Sequence, residues 1–228
     1  MRLPAVLASV TLLFLGCSGW LSRHAWQPLF PEDGVPRGWV VRAWNDVSKP
    51  GPADSGWRVV NGVLQSEGSR GNWLMSEREY GDFELEYEFK LGEQGNGGLA
   101  LRAPMAGDPA FDGMELQMAD VRYNPEAKSS ELTGGLYRAV APRQQVYRPT
   151  EWNHYEISLK GTRIKARLNG VLIHDLDLAT QTETVKRHDG TDAVPLRDRP
   201  RRGHIGFQEL SRGGGHVMVR NAYIRPLE

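Results

Sequence analysis

Glu115 and Gln117 stand two residues apart in Gly113-Met114-Glu115-Leu116-Gln117-Met118-Ala119-Asp120. Successive side chains of an extended strand point to opposite faces, so Met114, Leu116 and Met118 share one side and the carboxyl and amide the other. The apolar side suits a core, and the polar pair, mounted on a rigid strand, suits recognition of a sugar. Leu99-Ala100-Leu101-Arg102 repeats the pattern, with Ala100 and Arg102 opposite the two leucines. Ile205 and Phe207 likewise oppose His204 and Gln208. Glu115, Gln117, Arg102, His204 and Gln208 are thereby predicted to share one sheet face. Strict alternation sends Asp120 to the core side; it joins Glu115 only where the strand ends or bulges near Ala119.

The elements that must carry these residues are short strands separated by turns. Phe83-Glu84-Leu85-Glu86-Tyr87-Glu88-Phe89-Lys90-Leu91 alternates without a break, the pattern of a half-buried strand. Asn61-Gly62 and Asn169-Gly170, each between apolar runs, predict type I′ hairpins. Tyr155, Ile157 and Leu159 alternate before the second hairpin, and late strands are expected over 204–208 and 217–224. No apolar run with a 3.6-residue period covers three helical turns past the N-terminal segment, and 26 glycines and 14 prolines fit a chain made of turns. The fold class is all-β, with two antiparallel sheets packed face to face and the outer face of one free to curve around a ligand. Two insertions interrupt it: a polar one from Tyr123 to Thr133, and a longer basic one from Thr180 to Arg202 that includes Arg199. Loops of that length in a compact domain are functional or disordered.

The chain of 228 residues is long enough for one large β domain. Its 28 basic and 28 acidic side chains cancel, so no global field favours nucleic acid or an anionic membrane surface. A single cysteine excludes an internal disulfide framework. That residue, Cys17, follows Arg2, an apolar run from Leu3 to Leu15, and Gly16. The run is too short to span a bilayer and reads as an export signal. Phe14-Leu15-Gly16-Cys17 is similar to a bacterial lipoprotein signal, which implies cleavage before Cys17 and a lipid anchor in the cell envelope, periplasmic or on the outer membrane. A plain signal peptide or an uncleaved apolar anchor are the alternatives. The expected organisation is a signal over 1–17, a tether over 18–30 and one sandwich over 31–228.

Several fragments, taken in order, resemble one family. They are Asn96-Gly97-Gly98-Leu99-Ala100-Leu101-Arg102, the Glu115 stretch, Gly134-Gly135-Leu136-Tyr137, Ala141-Pro142, Glu151-Trp152-Asn153, Leu168-Asn169-Gly170 and Gly203-His204-Ile205-Gly206-Phe207-Gln208, closed by Arg220-Asn221. Together they are similar to the 3-keto-disaccharide hydrolase domain. The resemblance implies a concanavalin A-like lectin/glucanase jelly roll acting on glycosides oxidised to a ketone at C3. Two stretches depart from it. Asp33-Gly34-Val35-Pro36-Arg37-Gly38-Trp39 is a divergent start, and Glu209-Leu210-Ser211 stands where the family often carries Asp-His-Gly.

A ketone at C3 acidifies the C2 proton and sets up loss of the C1 oxygen by β-elimination. The reaction asks for a base, a cationic or hydrogen-bonding group for the enolate oxygen and an acid for the leaving oxygen. Glu115 is the expected base and Arg102 the enolate stabiliser, with Asp120 the third catalytic candidate. Gln117, Gln208, His204, Asn96, Tyr137 and Arg199 are expected to bind substrate. Glu115 and Arg102 could instead form a structural ion pair between strands. A non-catalytic carbohydrate-binding module and a conventional glycosidase are the competing functions. Glu115, Gln117 and Asp120 offer oxygen donors acceptable to a divalent cation such as Ca²⁺, without a recognised loop spacing. No zinc pattern, phosphate-cradling loop or nucleophile elbow is present.

Overall fold

The structure, a computed structural model, describes residues 25–214 and 216–227. The expected signal over 1–17 and its Cys17 lie outside them. In chain order the strands are β1 (Gln27–Pro28), β2 (Trp39–Ala43), β3 (Asp46–Pro50), β4 (Gly56–Val60), β5 (Val63–Glu67), β6 (Asn72–Tyr80), β7 (Phe83–Leu91), β8 (Asn96–Ala103), β9 (Met114–Ala119), β10 (Asn153–Lys160), β11 (Arg163–Leu168), β12 (Val171–Asp177), β13 (Gly203–Glu209) and β14 (Val217–Pro226). One short helix, α1 (Pro109–Asp112), precedes β9. No helix among the described residues is long and apolar enough to cross a membrane.

The strands form the two antiparallel sheets expected. One runs β12-β11-β10-β7-β14-β5-β4 with β1 added on β14, and the other runs β3-β2-β6-β13-β8-β9. Both Asn-Gly turns hold left-handed backbone, with Asn61 and Gly62 at φ 50° and 74° and Asn169 and Gly170 at 51° and 80°, the requirement of a type I′ hairpin. The tether is shorter than expected: Gln27 pairs with Ile224, and Leu29 is buried in the core.

The core lies between the sheets, where Met114, Leu116 and Met118 of β9 and Leu99 and Leu101 of β8 meet Leu85, Tyr87 and Phe89 of β7. Their burial fixes the opposite faces of β8 and β9. Glu84 and Glu88, on the outward face of β7, are paired with Arg225 and Arg220 of β14.

Arg102 corrects one expectation. Pairing along β8 and β13 shifts between His204 and Gly206, and Arg102 itself is at φ 51°. This bulge takes Arg102 out of phase with Ala100. Its fully buried side chain donates from Nε to the Gly81 carbonyl at 2.7 Å, from Nη1 to the Gly161 carbonyl at 2.8 Å and from Nη2 to Asp82 Oδ1 at 2.8 Å. Gly81 and Asp82 form the crossover between the sheets and Gly161 a turn of the eight-stranded one. Arg102 is thus a clamp between the sheets. A Cβ on Gly203 would come within 2.6 Å of the Arg102 carbonyl, so the strand beside the bulge requires glycine.

Arg102→Met should destabilise the protein by about 3 kcal/mol or more, because a buried guanidinium and three hydrogen bonds go together. Denaturant unfolding followed by tryptophan fluorescence measures this. Unchanged stability with lost activity would return Arg102 to the functional site.

Candidate functional site

The face of the six-stranded sheet turned away from the core carries a cavity of about 580 Å³. Its floor is built from alternate residues of three adjacent strands: Asn96 of β8, Glu115 and Gln117 of β9 and Gln208 of β13. Trp44, Arg70, Asp108, Tyr123, Tyr137, His188 and Leu210 wall it. Residues 134–137 cover the outer edge of β9, with Gln117 N–H donating to Gly135 and Tyr137 N–H to the Glu115 carbonyl, each at 2.9 Å. That pairing brings Tyr137 to the cavity.

Glu115 is 3% exposed, and its Oε1 has no hydrogen-bond partner. Gly98 makes its placement possible, since a Cβ there would lie 2.6 Å from the Glu115 Cδ. Burial first, and then the nearby Asp108 charge, push the Glu115 pKa well above the usual carboxylate range. Asn96 Oδ1 is a second buried acceptor without a partner. Unmatched buried acceptors in a cavity are the complement of a ligand rich in hydroxyl donors. Gln117 Oε1 accepts from the Met118 N–H at 2.9 Å, which leaves the amide nitrogen for a ligand. Trp44, half-buried at the rim, offers an aromatic surface on which a sugar ring can stack.

Asp108 was not expected here, although Asp108-Pro109 is a readable helix start. It caps α1 by accepting from the Ala110 N–H at 3.1 Å. Burial, reinforced by Asp112, raises its pKa to about 6. Trp44, Arg70, Tyr123, His188 and Leu210 also escaped the sequence reading. Each comes from a turn or insertion whose path is set by tertiary contacts.

Four expected residues lie elsewhere. Arg102 is the inter-sheet clamp. Asp120 lies just past the end of β9 at Ala119, and its carboxylate is held by Arg122 at 2.7 and 2.9 Å and by the Tyr147 hydroxyl at 3.1 Å. It lines a smaller recess that shares Asn96 and Gln117 with the main cavity. His204, beside the bulge, bonds the Ser76 carbonyl at 2.7 Å. Arg199 is buried against carbonyls, donating to Ala110 at 3.0 Å, Gly113 at 2.9 Å and Val194 at 2.8 Å. It moors the basic insertion instead of binding substrate. Among the described residues no three His, Cys, Asp or Glu side chains gather as a metal site.

Asp108 supplies a stability test. Its folded pKa of about 6 exceeds the reference 3.8, so between those values the folded chain binds more protons than the unfolded one. Stability therefore falls as pH rises through that window, by on the order of 2–3 kcal/mol in total. Asp108→Asn keeps a capping oxygen and should flatten this part of the stability curve, as thermal unfolding across the window will register.

Comparison with known proteins agrees with this architecture. Crystal structures of two candidate glycosyl hydrolases from Parabacteroides distasonis ATCC 8503 are similar to this chain. One has a TM-score of 0.71 and 27% identity, covering 89% of this chain and 100% of that one. The other has a TM-score of 0.67 and 22% identity, covering 92% and 97%. The carbohydrate-binding module CBM66 from Bacillus subtilis shares the fold at a TM-score of 0.50 and 16% identity, covering 86% and 99%. A search of curated protein sequences gives no match. The fold is a concanavalin A-like jelly-roll sandwich, and the function is carbohydrate-active. With a family match running from residue 25 to residue 225, the chain belongs to the 3-keto-alpha-glucoside-1,2-lyase-like domain family.

Proposed function

We propose that this protein cleaves glycosides bearing a ketone at C3 of the sugar, by elimination followed by addition of water. The observation that carries the reading is Glu115: a desolvated carboxyl with an unpartnered oxygen, on the floor of a cavity lined by amides. A carboxyl held in its neutral form is a proton donor first. Glu115 therefore protonates the departing C1 oxygen, in place of the base role expected for the reaction that the family resemblance implied. The enolate oxygen on C3 needs donors, which the Gln117 and Gln208 amides supply from the cavity floor and the Tyr137 hydroxyl and Arg70 guanidinium from its wall. Arg70 takes over the part expected of Arg102.

A conventional retaining glycosidase would need one of its two carboxyls ionised as the nucleophile. Here the Asp108 carboxylate is engaged as the cap of α1, accepting from the Ala110 N–H, and burial favours the neutral form of Glu115, which suits proton transfer better than nucleophilic displacement. The Leu3–Leu15 run and Gly16-Cys17 support placing this activity in the cell envelope, on a lipid anchor.

Matched 3-keto and unoxidised disaccharides test the reading. Purified protein should release reducing sugar only from the keto substrate, with a transient enone absorbance. Binding of sugars without cleavage of either substrate would instead make the chain a carbohydrate-binding module.

Glu115→Gln copies the neutral carboxyl in shape. It should lower kcat by roughly 10²-fold or more and leave the thermal midpoint unchanged or higher, since the buried acid is removed. Gly98→Ala forces the Glu115 carboxyl aside. It should cost activity on a similar scale, and a variant of full activity would show that the carboxyl is not held where the reaction occurs.

A further inference from the structure

His188 lies on the basic insertion, outside every strand of the cavity floor. It nevertheless lines the main cavity, and with Trp44 and Asp108 it also borders a second recess of about 380 Å³, completed by Asn45, Phe111, Arg187 and Asp189. The ring stands against Phe111, Trp44 and Tyr137, with centroids 5.2, 5.3 and 5.9 Å away. Of the described histidines, it alone lines the main cavity.

The segment that carries it is built to stay in place. Lys186 and Asp192 form a bridge across a tight turn, closed by Arg187 N–H to Thr191 and Ala193 N–H to Val185, both at 2.8 Å. Arg187 forks onto the Asp112 carboxylate of α1. Arg138 donates to the Lys186 carbonyl at 2.8 Å, and Arg199 anchors the returning end of the insertion on Ala110 and Gly113. Three arginines thus fix one imidazole at the boundary between two recesses. Neither ring nitrogen has a hydrogen-bond partner among the described residues.

We propose that His188 is the base of the reaction assigned above, with the 3-keto sugar in the main cavity and the leaving portion of the glycoside in the second recess. This rests on the proposed cleavage of 3-keto-glycosides. The unprotonated imidazole nitrogen takes the C2 proton, and the C–H electron pair passes to the C3 oxygen as an enolate. The enolate collapses to a C1=C2 double bond, the C1–O bond breaks, and the departing oxygen takes its proton from Glu115. Water then adds across the double bond: its hydroxyl joins C1, its other proton returns to Glu115, and the imidazolium gives its proton back to C2. No oxidant or reductant is consumed.

The charged and titratable groups around the ring are Arg187 and Asp189 on its own segment, Asp108 and Asp112 of α1, and Glu131, Tyr137 and Arg138 from the segment after β9. Burial and the Arg138 charge hold the imidazole neutral to below its ordinary range, the form that a base needs at neutral pH.

The test uses the whole protein and two probes: a 3-keto disaccharide deuterated at C2, and a 1-deoxy-3-keto sugar that lacks a leaving group. Wild type should exchange the C2 hydrogen of the second probe with deuterium oxide. His188→Asn should lose that exchange and disaccharide cleavage by roughly 10²-fold or more in kcat, with KM little changed. The acidic limb of the kcat profile should vanish, and added imidazole should restore part of the rate. His188→Gln, closer in bulk, repeats the measurement should the first variant fold poorly. Full exchange in both variants, or a change confined to KM, would leave His188 a packing ring and overturn the inference while cleavage by wild type stands. Exchange without cleavage in wild type would keep the base and remove the proposed function. A wild type inert in both assays would remove both.

Discussion

Met114, Leu116 and Met118 are buried between the sheets, and the site depends on that packing. A strand shifted by one residue turns every side chain over, so the three apolar anchors hold Glu115 and Gln117 on the opposite face. Gly98, on the neighbouring strand, lacks the Cβ that would occupy the space of the carboxyl. Core packing and the position of the acid are therefore one constraint.

That constraint has an electrostatic result. A carboxyl pressed onto the sheet loses its water, and the surrounding residues return no hydrogen bond to its Oε1. Asp108, delivered by the cap of α1, adds a second desolvated acid. Two such groups oppose one another's ionisation. Burial thus favours the protonated form of Glu115 and makes the acid sensitive to its neighbours.

Positive charge organises the molecule in a different way. Arg102 joins the two sheets, while Arg138, Arg187 and Arg199 tie the long insertion to the segments around β9. A guanidinium directs several donors at fixed angles, and here most of those donors meet backbone carbonyls in turns and loops. Residues whose type suggested chemistry are in this way fasteners. Among the described residues, Arg70, on a turn at the cavity wall with its Nη2 on the Tyr123 hydroxyl, is the arginine that lines the cavity.

Period-two alternation, Asn-Gly turns and the absence of a helical period were enough to state an all-β, two-sheet fold, because these signals are local. The same alternation placed Glu115, Gln117 and Gln208 together, since their strands are regular there. It misplaced Arg102 because the β8 bulge resets the phase, and a bulge depends on the strand paired alongside. Asp108, Arg70, Trp44 and His188 reach the cavity from turns and an insertion whose paths follow long-range hydrogen bonds and ion pairs. Local pattern determined which strand faces line the cavity; only tertiary structure decided which loops close over them, because loop position is set by partners distant in the chain.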